Sequence, residues 1–125
     1  MTARVQNNGL ARITTLLAAA AWWLQWGTGS GAAASANVVT TTSTTEARVS
    51  AATGQGTTTV TNDKATFTAT ITAAGTRAIT EVGVFDAAGT GSPPTGGNMD
   101  IYGDFSAVNL NNGDSIAFTV GVTFS

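Results

Sequence analysis

Two carboxylates, Asp100 and Asp104, lie four positions apart in "MDIYGDF", on the same side of a strand if the chain is extended there. Tyr102 lies between them. Paired Asp or Glu side chains held at a suitable separation can hydrolyse glycosidic bonds. Two exposed acids on the solvent face of a strand are far commoner, so we expect Asp100 and Asp104 to be surface residues.

Glu81 raises a different question, because it interrupts the apolar stretch "AITEVGVFDAAG". If this stretch is an uninterrupted strand, Glu81 shares a face with Ile79 and Phe85, while Val82 and Val84 point the other way. The pattern therefore predicts a carboxylate among large apolar side chains.

A buried carboxylate is tolerated when it is charge-paired and hydrogen-bonded. Few cations are available, and two of them, Arg48 and Arg77, lie in predicted strands. We predict that Glu81 pairs with Arg48, within the chain or across a subunit interface, and so fixes strand register.

Other catalytic and ligand-binding signatures are absent from the sequence. The chain has no histidine, no cysteine and a single lysine, Lys64, so nothing obvious would activate its many Ser and Thr hydroxyls. "WGTGSG" lacks the lysine of a phosphate-binding loop, and "NLNNGD" reads as a hairpin turn better than as a calcium loop. We expect no enzyme activity, cofactor, metal or small-molecule substrate.

The composition indicates assembly with other proteins. Charged residues make up 10% of the chain, against roughly 25% in an ordinary soluble domain. Thr, Ala and Gly take their place, which leaves a weakly hydrated surface and poorly defended strand edges. Without a basic stripe, nucleic-acid binding is not expected.

The amino-terminal segment has helical periodicity from Asn8 to Leu24, and "NNG" ahead of it could cap a helix. "WWLQWG" could continue the helix or switch to a strand, and its aromatics favour the strand. The segment imitates a signal peptide, but "TT" interrupts its apolar run, so we expect it to be retained and not to span a membrane.

Three tryptophans, Trp22, Trp23 and Trp26, fall within five positions. Successive side chains cannot both face the same core in either secondary structure. Core packing therefore explains one or two of them, and the remaining one is a candidate for contact with a subunit partner.

Beyond residue 37 the hydrophobic period becomes two, and turn residues separate the alternating segments. Strands are predicted near 45–52, 57–62, 65–73, 77–86, 99–107 and 115–124, with turns at 61–63, 73–75 and 111–114 and a longer exposed loop at 87–98. The prediction is all-β: an antiparallel, jelly-roll-like β-sandwich with a short N-terminal helix. Residues 1–37 would form the helix and an extended arm, and 38–125 the sandwich, packed together as one domain.

Several motifs, in this order, resemble a recurring set of bacteriophage structural proteins: "NNGLARITTLL", "WGTG", "TEARVSA", "TVTND", "ITEVGVFDA", "GGN" and "VNLNNGDSIAFTVGVTFS". Members of that set are described as tail-fibre-like, decoration or minor virion proteins. The resemblance covers nearly the whole chain and implies a place in the virion, with no catalytic residues.

Small all-β virion proteins of this kind often sit on capsids as trimeric cement or decoration proteins. We therefore expect a homotrimer on the outer capsid surface that stabilises the head by bridging major capsid subunits. The alternative is a tail or fibre component, either an adaptor or a host-binding module. A secreted sandwich released after Ala36 and a hydrolase built on Asp100 and Asp104 are weaker alternatives.

Overall fold

The computed structural model describes residues 1–36 and 45–125. Within these residues the chain forms one helix and then seven strands, which pair into two antiparallel sheets. The elements are α1 (Asn7–Ala19), β1 (Trp23–Gly27), β2 (Val49–Ser50), β3 (Ala52–Gly56), β4 (Lys64–Thr72), β5 (Arg77–Phe85), β6 (Met99–Leu110) and β7 (Ser115–Thr123). The predicted antiparallel β-sandwich with a short N-terminal helix is confirmed.

One sheet has the strand order β2-β1-β5-β6, and the other has the order β3-β4-β7. The ladder between β4 and β7 runs without interruption from the Lys64–Thr123 pair to the Thr72–Ser115 pair. Alternation along β4 places Phe67 in the core and leaves Thr70 exposed, as the period of two predicts.

The core lies between the two sheets and is built from alternate residues of the inner strands. Trp22 packs edge-on against Phe67, and Trp26 packs edge-on against Phe118, with ring centroids 5.7 and 6.3 Å apart. Such edge-to-face contacts are favourable beyond the area they bury. They join the strand after the helix to the opposite sheet.

Helix α1 packs against β3 and β4 through its buried residues Leu10 and Thr14. The Thr14 hydroxyl donates to the carbonyl of Asn62 at 2.7 Å, and the Thr53 hydroxyl donates to the carbonyl of Ala18 at 2.8 Å. The helix therefore rests on the sandwich and is fixed at its middle and at its C-terminal end.

The helix ends at Ala19, five residues before the predicted limit at Leu24. From Trp22 onward the chain is extended, and Trp22, Leu24 and Trp26 all enter the core at a period of two. The strand preference of large aromatic residues prevails over the helical spacing. The segment before residue 37 thus supplies β1 (Trp23–Gly27) to the sandwich, while the predicted domain division at residue 37 stays a prediction.

The predicted strand at 57–62 is wrong, because this segment is a turn-rich loop. The Asp63 carboxylate accepts hydrogen bonds from the amides of Thr58, Thr59 and Val60 and from the Thr58 hydroxyl, at 2.7–3.0 Å. A side chain that satisfies consecutive amides competes with a strand ladder for them. The neighbouring strand is instead β3, at Ala52–Gly56.

Candidate functional site

Glu81 is completely buried, as its position in the pattern predicts. It lies on β5 opposite Gly27 of β1 on one side and Asp104 of β6 on the other. Its carboxylate accepts hydrogen bonds from the Tyr102 hydroxyl at 2.7 Å and from the backbone amide of Gly29 at 3.2 Å. Glu81 thus ties the segment after β1 to the sheet.

Glu81 and Ile79 do not share a face, contrary to the prediction. The register between β5 and β6 shifts between these two residues, and Ile79 joins the core cluster together with Val82 and Val84. Such an irregularity reverses the direction of the side chains that precede it. Phe85, although fully buried, lies outside that core cluster.

Arg48 stacks its guanidinium on Phe85, 3.7 Å from the ring centroid. It donates from Nε to Gln25 at 2.8 Å and from Nη1 to the carbonyls of Ala87 and Gly96 at 2.9 and 2.8 Å. Burial lowers the pKa of Arg48, and the charge of Asp86 opposes that effect. Arg48 is therefore an anchor for the loop at 87–98.

The predicted pair between Glu81 and Arg48 is not formed within the chain, because each side chain has other partners. In the strand register Gln25 lies opposite Gly83, two positions from the Gly27–Glu81 pair. Arg48 bonds to Gln25, so the two charged groups occupy different rows of the sheet. A buried guanidinium stacked on a ring and bonded to carbonyls does not require a carboxylate.

Arg77, the other predicted site residue of this type, pairs with Glu46. Arg77 Nε lies 3.1 Å from Glu46 Oε1, which also accepts from the Ala74 amide at 2.9 Å. Glu46 Oε2 accepts from the Trp26 indole N–H at 3.3 Å. Burial acts against ionisation of Glu46, but these hydrogen bonds and the Arg77 charge together hold its pKa below the ordinary value.

Sequence reasoning missed Glu46 because the alternation of Ala47 and Val49 with Glu46 and Arg48 in "TEARVSA" does not show which side is buried. The structure buries Glu46 and Arg48 and exposes Ala47. The available signal was that the oppositely charged Glu46 and Arg48 fall on the same side of this segment. Long charged side chains enter an interior only with partners.

The three tryptophans divide between two sides of β1. Trp22 and Trp26 lie in the core, whereas Trp23 is half-buried and is not part of the core cluster. Trp23 is paired with Phe85 in the strand register, on the side that also carries Gln25. The role of Trp23 in contact with a partner stays a prediction.

Asp100 and Asp104 are both exposed and belong to different local environments. Asp104 accepts from the Gly31 amide at 3.0 Å, whereas Asp100 lies at a second irregularity, between the Val84 and Phe85 pairings. Partial burial and the nearby Asp86 raise the pKa of Asp100. No arrangement of three or more metal-ligating side chains occurs in the described part of the chain.

A groove of about 610 Å³ lies between the start of α1, the 57–63 loop and the end of β7. Asp63 lines it, but the oxygens of Asp63 are already bonded to the loop.

Within residues 1–36 and 45–125, no helix combines the length and apolar character needed to cross a bilayer.

The fold and these contacts define a small β-sandwich whose buried charged groups hold the chain's own loops and arm in place. The sequence model of the family described as Podophage GP4 fiber I protein gp80 matches residues 3–123. The chain belongs to this family and is a phage virion structural protein. Comparisons with curated proteins and with solved structures found no match.

Proposed function

We propose that this protein is a non-enzymatic structural component of a phage tail or fibre. The observation that carries the proposal is the family match, which extends over residues 3–123 and is to a fibre protein. It favours the fibre alternative over the expected cement role on the capsid.

The contacts of the acidic residues support a structural role. Glu46, Asp63 and Glu81 each accept hydrogen bonds from the chain's own donors. A general acid or base must instead reach a substrate proton. With no histidine in the sequence, the proposal includes no catalytic residue, cofactor or small-molecule substrate.

The proposed partners are other virion proteins and further copies of this chain, in a homotrimer. Neither nucleic acid nor membrane belongs to the proposal. A low proportion of charged side chains suits a protein whose surface is largely covered in an assembly.

The test is to count and locate this chain in purified phage particles. Quantitative mass spectrometry would give its copies per major capsid subunit, and immunogold labelling would locate it on the particle. A handful of copies with label at the tail is the expected result, and the 87–98 loop then becomes the region to test for host contact. A ratio near one with label over the shell would overturn the fibre proposal and support capsid decoration.

A further inference from the structure

Strand β7 is the last strand of the three-stranded sheet, next to β4. Just before β7, the Asp114 carbonyl accepts a hydrogen bond from the Ala73 amide of the β4 side. Just after β7, the Phe124 amide donates to the Asp63 carbonyl. In an antiparallel pair every second residue directs its N–H and C=O groups to the neighbouring strand. The even-numbered residues of β7 therefore face β4, and the odd-numbered residues direct their backbone groups outward.

The outward backbone groups belong to residues that are all exposed and uncharged: Ser115, Ala117, Thr119, Gly121 and Thr123. From residues 1–36 and 45–125, no hydrogen bond reaches these outward N–H and C=O groups. The described residues on either side of 37–44 lie near Met99–Tyr102 and near Arg77 and Ser92, which belong to the other sheet and its loop.

The outer edge of β7 lacks the features that usually prevent pairing with another strand, which are charges, prolines, bulges and short length. Strand β7 is 9 residues long, contains no charged residue or proline, and pairs with β4 without a register shift. Its inward-facing Ile116, Val120 and Val122 are only half-buried, although they pack against the core. Pairing with a further strand would cover both the backbone groups and these apolar side chains.

Opposite charges lie at the two ends of this edge. At the carboxyl end, the Lys64 side chain crosses β7 directly over Gly121. Arg4 lies near the same end, where it lines a groove with Thr123. At the amino end, Asp114 is exposed in the turn that precedes β7.

The other ionised groups near the two ends do not reverse these signs. Asp63 is buried beside Lys64 and offsets one of the two cations there, which leaves the carboxyl end positive. The amino end also holds the ion pair of Arg77 and Glu46, whose charges cancel, so Asp114 leaves that end negative.

We propose that β7 of one copy pairs antiparallel with β7 of a second copy about a two-fold axis at Thr119, the middle residue of the strand. Antiparallel pairing brings the positive end of each strand to the negative end of the other, whereas parallel pairing would bring like charges together. With Thr119 opposite itself, every residue of Ser115–Thr123 is paired, and outward backbone groups meet outward backbone groups. The two three-stranded sheets then form one continuous sheet across the contact.

The side chains that this register brings together are compatible. On the outer face, Ser115 meets Thr123 of the second copy, and Thr119 meets its own counterpart. Pairs of Thr and Ser across neighbouring strands are favourable. On the inner face, Ile116 meets Val122 of the second copy, so the apolar layer between the sheets continues from one copy to the other.

This contact goes beyond the proposed function, which supplies only its setting. Because a two-fold contact cannot close a ring of three copies, it lies outside the proposed homotrimer and would link copies of two different trimers. It can be tested on the purified full-length chain, without reference to the particle.

Cysteine cross-linking tests the register. The sequence contains no cysteine, so each variant carries only the introduced thiol. The Cα atoms of a hydrogen-bonded antiparallel pair are about 5.5 Å apart, within the range that a disulfide spans. Under mild oxidation, Thr119→Cys should form a covalent dimer at least about tenfold faster than Ser115→Cys, whose counterpart lies at the far end of the paired strand.

Ser115→Cys and Thr123→Cys are the matched controls. Neither should cross-link alone, but an equal mixture of the two should form a covalent heterodimer, because antiparallel pairing places these two positions opposite each other. Thr70→Cys, at an exposed position on β4, should not cross-link.

Sedimentation velocity measures the contact without a covalent bond. Thr119→Lys and Thr119→Glu each place like charges opposite each other at the axis and should weaken association at least about tenfold. A mixture of these two variants should associate to within about threefold of wild type, because opposite charges then meet. Thr119 is exposed, and circular dichroism checks that each variant is folded.

The proposal is overturned if Thr119→Cys cross-links no faster than Ser115→Cys or Thr70→Cys. It is also overturned if the wild-type chain stays monomeric at the highest concentration measured, or if both charged variants of Thr119 associate normally. These results concern the purified chain and leave its location in the particle untouched. Label over the capsid shell would, conversely, overturn the fibre role and not the β7 contact.

Discussion

Replacement of Glu46 by Gln tests whether the buried carboxylate near Arg77 stabilises the sandwich. The Glu46 side chain in this ion pair is only 5% exposed, and its two oxygens accept from Ala74, Arg77 and Trp26. Gln preserves the shape of the side chain but offers one acceptor oxygen. Its amide group must then face one of these donors.

The expected loss of stability follows from that geometry. If the Gln oxygen occupies the Oε1 position, it keeps the bonds from Ala74 and Arg77 without the help of a negative charge. The Gln amide then points at the Trp26 N–H, and a buried donor deprived of its acceptor costs about 1–3 kcal/mol. With the lost charge assistance, we expect Glu46→Gln to lower the free energy of unfolding by about 2–4 kcal/mol at pH 7.

The dependence on pH provides the sharper measurement. Because the pKa of Glu46 is lowered in the folded protein, its ionisation stabilises the fold above the unfolded-state pKa of about 4.3. That contribution is lost as the pH falls through the folded-state pKa. In urea unfolding, the difference between wild type and Glu46→Gln should be largest at pH 7 and should have narrowed at pH 3.

Two results would refute this reasoning: equal stability of the two proteins at pH 7, or a difference that is the same at pH 7 and pH 3. Arg77→Gln is the matched control, because it removes the ion pair and leaves the bonds from Ala74 and Trp26 in place. The Arg77 side chain is 22% exposed, so its loss should cost no more than about 1 kcal/mol.

Three further predictions test other parts of the structure. Glu81→Gln should lower the free energy of unfolding by about 1–3 kcal/mol in urea, because Gln has one acceptor oxygen and either the Gly29 amide or the Tyr102 hydroxyl loses its acceptor; unchanged stability would contradict the anchoring role. Asp63→Asn should lower the melting temperature at pH 7. The Val60 amide and the other loop donors hold the pKa of Asp63 low, so the wild-type advantage should fade as the pH drops below about 3.9, and equal melting at pH 7 would argue against it. Phe67→Ala should cost about 3–5 kcal/mol because its side chain is fully buried, whereas the exposed Thr70→Ala should change stability by less than about 0.5 kcal/mol; similar losses for both would contradict the assigned core.

The sequence allowed strands β4 and β7 to be located because their apolar residues alternate at the period of two that is typical of a sheet. It failed at 57–62, where a Thr-rich segment has the composition of a strand but Asp63 binds its amides. It also missed the part of β3 at "ATGQG", whose glycines have low strand propensity. Those glycines fit because a side chain at Gly54 would crowd the Thr66 hydroxyl of the paired strand.

The candidate site was predictable only in part. Burial of Glu81 follows from its position among apolar residues, but one of its donors is the Gly29 amide, which composition cannot reveal. A second donor, Tyr102, comes from β6, and its position depends on the register between two strands. A single irregularity in β5 changed which residues share a face, and no sequence pattern marked it.

The contacts of the buried ionisable groups also bear on the function of this protein. Inside the sandwich, the ionisable groups that could do chemistry are already bonded to loops, the arm and neighbouring strands, so they fix the shape of the molecule. A body stiffened by such satisfied polar contacts is suited to a mechanical role, which is what the proposed fibre component requires.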